Sequence, residues 1–201
     1  MRYKYLFLVL IFFSCKTQNK IINKELKNCI NSAYNNNVKN MYNSNLNLSF
    51  YSLMSSVEKI LISNKTIKNS GKQSYISFFT KIKEEKEIGK HEKVFHEIEK
   101  LLINEKFDMT FSNLYAVFQS CPYKIITEEK NDANSTLVNQ YKVFSQMEAK
   151  GNDNLKLISE LLNVTEKKYF EDILYRAPVI LLAIINLEYL INGKTQNVKL
   201  D

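Results

Sequence analysis

Two histidines stand in the run His91-Glu92-Lys93-Val94-Phe95-His96, one residue longer than the HExxH arrangement that grips zinc. In HExxH the imidazoles are four apart and leave one helix face together, whereas a spacing of five at 100° per residue sets them about 140° apart. The pair is therefore not assigned to a metal. His91 continues an apolar stripe and is expected at the edge of a core, while His96 falls with Glu92 and Glu99 on the opposite, solvated side. Cys29 and Cys121 are the next candidates, since an exported chain permits an even pair of thiols to form a disulfide. Cys29 also reads as a small buried hydrophobe, because it lies on an apolar stripe. Neither cysteine stands in a nucleophile motif or beside a histidine that could activate it.

A third constellation is Arg176 and Glu188, the one arginine beyond the first few residues and a carboxylate inside the greasiest stretch of the chain. A carboxylate buried alone is costly, so Glu188 must reach solvent or find a cation, and Arg176 is a candidate partner in a buried ion pair. The fourth is the abundance of aromatics, twelve tyrosines and twelve phenylalanines without a tryptophan. At helical spacing these are core residues first and a protein-binding face second. Nothing matches a P-loop, a dinucleotide fingerprint, a nucleophile elbow or a paired-carboxylate site. No catalytic, cofactor-binding or metal-ligating residue is assigned, and no cofactor is expected.

The N-terminus carries the clearest instruction. Met1 to Tyr5 includes Arg2 and Lys4, Leu6 to Phe13 is unbroken apolar chain, and Ser14 stands before Cys15. Charged, then apolar, then small: that order is an export signal. A spanning helix needs roughly 20 apolar residues, so this shorter run is expected to be removed rather than retained as an anchor. Ile11-Phe12-Phe13-Ser14-Cys15-Lys16 resembles a bacterial lipobox, with phenylalanine at the two positions ahead of Ser14. The resemblance implies that residues 1–14 are a signal peptide, that Cys15 begins the mature chain and carries the lipid chains, and that residues 15–20 are a tether. It further implies a bacterial cell envelope, outer-membrane attachment, and a body facing the periplasm or the exterior. A cleaved secreted protein or a short uncleaved anchor, with Cys15 incidental, is the alternative.

Cleavage before Cys15 would leave about 187 of the 201 residues, enough to bury a real core as one domain over 21–201. The formal charge is +7, and losing Arg2 and Lys4 leaves +5. That balance is almost all lysine, whereas arginine supplies the bidentate forks that read phosphate and base edges, so nucleic acid is not an expected partner. The expected partners are the membrane, through the lipid, and an unidentified protein.

Only four glycines and two prolines occur, against ordinary usage of about fourteen and ten, so tight hairpins are scarce. Stripes of period 3.6 take their place. Ile22, Leu26, Cys29, Ile30 and Ala33 form the first, ended by Asn35-Asn36-Asn37. Phe50, Leu53, Met54, Val57, Ile60 and Leu61 form the second, with Ser49 as N-cap. Asn64 to Asn69 reads as a loop. Ser70-Gly71-Lys72-Gln73 opens a third helix as a capping box, burying Tyr75, Phe78, Phe79 and Ile82, with Gly89 after its charged end. Val94, Phe95, Ile98, Leu101 and Leu102 mark a fourth over 90–104. Asp108 caps a fifth that stops at Cys121-Pro122, with a short extended piece over 123–126. A sixth runs from Ser135 to Gly151 and a seventh from Asp153 to Asn163. Thr165 caps an eighth, and Pro178 opens a last helix whose segment Val179 to Ile191 is apolar on nearly every side.

The expected fold is all-α, an irregular bundle of about eight or nine short helices around a buried C-terminal helix. The function expected of such a body is that of an envelope binding or scaffolding module. An immunity-type inhibitor of a secreted toxin is one alternative. A helical envelope enzyme such as a hydrolase is another, with His91, His96 and the acidic residues as its sole material.

Overall fold

The structure, a computed structural model, describes residues 20–36, 39, 49–82, 88–105, 112–128, 135–150 and 155–197. Nine helices and no strand lie among them. Helix α1 covers 20–36, followed by α2 Phe50–Ser63, α3 Lys72–Lys81, α4 Ile88–Asn104, α5 Ser112–Glu128, α6 Ser135–Lys150, α7 Leu155–Val164, α8 Lys167–Phe170 and α9 Ile173–Asn197. The expected signal peptide, residues 1–14, and residues 15–19 of the expected tether lie outside this set, as do Asp108, Gly151 and Asp153, whereas Lys20 belongs to α1.

The stripes bury as their spacing demands. Ile22, Leu26 and Ile30 of α1, Phe50, Met54, Val57 and Leu61 of α2, and Val94, Ile98 and Leu102 of α4 are all enclosed. Ser49 caps α2, its hydroxyl accepting from Ser52 N at 3.3 Å. Helix α9 is the hub: α2, α4, α7 and α8 all pack on it, and Val179 through Leu187 are buried without interruption. Its one polar residue in that run, Asn186, turns its amide back to Leu182 O at 2.9 Å, so the helix satisfies its own buried donor.

Five boundaries differ from the sequence expectation. Helix α5 does not stop at Pro122 but runs through it to Glu128. Pro122 cannot donate to the carbonyl four residues back, a cost that is outweighed because Phe118, Cys121 and Ile125, on both sides of the proline, share one buried face. Pro178 likewise sits inside α9, which begins five residues earlier. The true cap of α9 is Asp172, whose carboxylate accepts from Leu174 N at 3.0 Å. Thr165 is not an N-cap: its hydroxyl donates to Leu161 O at 2.7 Å and closes the end of α7, leaving Glu166 to begin the single turn of α8. Helix α3 makes no Ser70–Gln73 capping box. Instead Asn69 Oδ1 accepts from Gly71 N at 2.9 Å and from Ser74 Oγ at 2.8 Å. Gly89 belongs to the first turn of α4 rather than to the end of α3.

The α9 stretch Ile173–Ile191, with a mean hydropathy of 1.6, is long and apolar enough to cross a bilayer. It is a core helix because 78% of that stretch is enclosed by the other helices.

Candidate functional site

The chain between α2 and α3 helps to form a cleft. Asn64 N bonds Ile60 O at 3.1 Å, Lys65 N bonds Ile62 O at 2.9 Å and Thr66 N bonds Leu61 O at 2.9 Å, the paired bonds of a Schellman ending. Such an ending needs a left-handed residue, and Lys65 takes it with φ of 58°. Glycine is the usual occupant, and a residue with a Cβ costs about 1 to 2 kcal/mol there. The turn sends Ile67 inward, 2% exposed, and leaves Lys65 and Lys68 at the surface. Together with Lys81 at the end of α3 they rim a cleft of about 500 Å³. Its walls include the buried Ile67 and Phe78 and the buried His91 of α4.

His91 and His96 part company as their spacing requires. His91 is 4% exposed in the cleft wall, whereas His96 lies on the outer face, its Nδ1 3.2 Å from Glu99 and its Nε2 3.8 Å from Glu92. No group of three or more metal-ligating side chains occurs among the described residues.

Cys29 of α1 and Cys121 of α5 are joined in a disulfide across 92 residues of sequence. Closing so long a loop restricts the unfolded chain, so the bridge should contribute about 2 to 4 kcal/mol. Cys29→Ser with Cys121→Ser should therefore lower the urea midpoint by that equivalent. Unchanged unfolding of the double variant would mean that α1 and α5 are held by packing alone.

Arg176 is buried and paired, but not with Glu188. Its Nε donates to Glu58 Oε1 at 2.8 Å and its Nη2 to Glu58 Oε2 at 3.1 Å, while Nη1 reaches Phe170 O at 2.6 Å and Glu171 O at 2.9 Å. Tyr75 of α3 adds a third bond, its hydroxyl 2.6 Å from Glu58 Oε1. The two expected partners share one continuous helix and stand twelve residues apart, about 18 Å along its axis, too far to meet. Glu188 instead lies half-buried at the far end, its carboxyl held above the usual carboxylate range by desolvation and then by Glu99. Burial, followed by the charge of Glu58 and its hydrogen bond, drives the Tyr75 phenol far up, so it remains a donor at any ordinary pH.

This cluster is closed. Both carboxylate oxygens accept, three guanidinium nitrogens donate, and Glu58 and Arg176 are 6% and 8% exposed. It fastens α2 and α3 to the α8–α9 turn and offers no free group to a substrate. A second polar tie does similar work, Gln140 of α6 donating to Thr165 Oγ1 at 2.8 Å and to Tyr175 O at 3.0 Å. Comparison of the chain with family models, curated proteins and solved structures gives no match.

Proposed function

We propose that this chain is an exported, lipid-anchored helical protein of a bacterial cell envelope, acting there as a binding module. The observation that carries the reading is the order of Arg2 and Lys4, the apolar run Leu6 to Phe13, and Ser14-Cys15, placed just ahead of a folded body. The Cys29–Cys121 disulfide supports export, since such bridges persist in oxidising compartments outside the cytosol. Burial of α9 supports an anchor supplied by Cys15, because the described helix with the length and hydropathy to enter a bilayer is occupied in holding the core. Two or three acyl chains attach a protein stably where one does so only weakly. Helix α1 starts at Lys20, so five residues of chain would hold the body within about 17 Å of the acylated cysteine. A cleft with polar rim and apolar walls suits binding, and the closed Glu58–Arg176–Tyr75 cluster offers no free group to a substrate.

Cys15→Ser should move the protein from the detergent phase to the aqueous or unprocessed fraction and abolish incorporation of labelled palmitate. Unchanged partitioning and processing would sink the anchor.

A further inference from the structure

The cleft between the α2–α3 turn and α4 brings a net positive rim and an apolar floor together. Lys65, Lys68 and Lys81 contribute three charges, and no ion pair to any of them is formed among the described residues. Glu97 of α4 forms no ion pair with them among the described residues, its Oε2 accepting from Asn64 Nδ2 at 2.8 Å. Three like charges around one opening repel each other, an arrangement that a bound anion relieves. Lys65 adds a second, independent indication. It occupies the left-handed position at the end of α2, where glycine would close the same turn without strain. Strain kept at one residue of a cleft points to a role for its side chain.

The geometry points to a binding site in this cleft for a phosphate monoester carried on a small apolar body. Phosphate fits better than carboxylate, because its two charges and three free oxygens match three separate ammonium groups. Lysine serves phosphate as a point charge, so the absence of an arginine fork from the rim does not count against it. The apolar part would lie on Ile67 and Phe78, and a cleft of about 500 Å³ falls within the range that holds small molecules. The inference rests on the reading of the body as a binding module and not on the lipid anchor, so loss of membrane partitioning and loss of cleft binding are separate outcomes.

Calorimetric titration of the purified full chain in non-ionic detergent, with phenyl phosphate and inorganic phosphate as separate probes, tests it. Phenyl phosphate should bind saturably at one site, more weakly as salt is raised, and about tenfold more weakly in Lys68→Gln with Lys81→Gln. Lys65→Gly should weaken binding while raising the Tm by about 2 to 4 °C, a pairing that a merely structural lysine would not give. Inorganic phosphate should bind more weakly than the ester. Equal affinity for both would overturn the apolar half of the site and leave free phosphate as the ligand. No saturable binding of either probe, or equal binding by wild type and the lysine variants, would overturn the site altogether.

Discussion

Arg176→Met is expected to lose about 3 to 5 kcal/mol of stability, because it leaves the Glu58 carboxylate enclosed without its cation. The loss is a large share of the 5 to 15 kcal/mol that typically holds a domain together. Glu58→Leu should cost a similar amount, since it strands the guanidinium and deprives the Tyr75 hydroxyl of its acceptor at 2.6 Å. The double variant Glu58→Leu with Arg176→Met should lose much less than the sum of the two, for then no buried charge remains uncompensated. What stays unsatisfied is neutral: the Phe170 and Glu171 carbonyls and the Tyr75 hydroxyl. Urea unfolding of the four proteins measures the coupling. Additive effects would show that the pair contributes nothing beyond the packing of its aliphatic stems.

Leu182→Ala and Ile185→Ala are each expected to cost about 2 to 5 kcal/mol. These side chains are 0% and 3% exposed on a helix enclosed by α2, α4, α7 and α8, so truncation leaves a cavity that cannot collapse on one side without opening another. His96→Ala is the control. With its side chain 62% exposed beside Glu92 and Glu99, it should change stability by less than about 0.5 kcal/mol. Chemical denaturation separates the cases. Small and similar effects in all three variants would mean that α9 is not held in the core, and its apolar surface would then have to be reread as a docking face.

The architecture was legible in the sequence because helical burial is written in local spacing. Residues 50, 53, 54, 57 and 61 must share a face whatever packs on them, and the run after Pro178, apolar on nearly every side, must be surrounded. The same arithmetic separated His91 from His96. Glu58 is legible in the same way. It stands four residues after Met54 and three before Leu61, within the apolar stripe, so a carboxylate there demands a buried cation. Arg176 was the obvious one.

What local spacing does not contain is which helices meet and where a proline is outvoted. Pro122 and Pro178 carry the same local penalty wherever they occur, and only the burial of Phe118, Cys121 and Ile125 in α5, or of Ala177 and Val179 in α9, keeps each helix going. The bridge between Cys29 and Cys121 depends on α1 lying against α5, a long-range fact that thiol spacing cannot express. Glu188 was excluded as the partner of Arg176 once α9 proved to be one continuous helix. The cleft arises for the same reason. Lys65, Lys68 and Lys81 belong to a turn and a helix end, His91 to another helix, and only the packing of α2 with α4 sets them around one opening. Sequence by itself determined the helical faces, because these depend on neighbours along the chain. Tertiary structure decided the ion pair, the disulfide and the cleft, because each joins residues that become neighbours only when the helices pack.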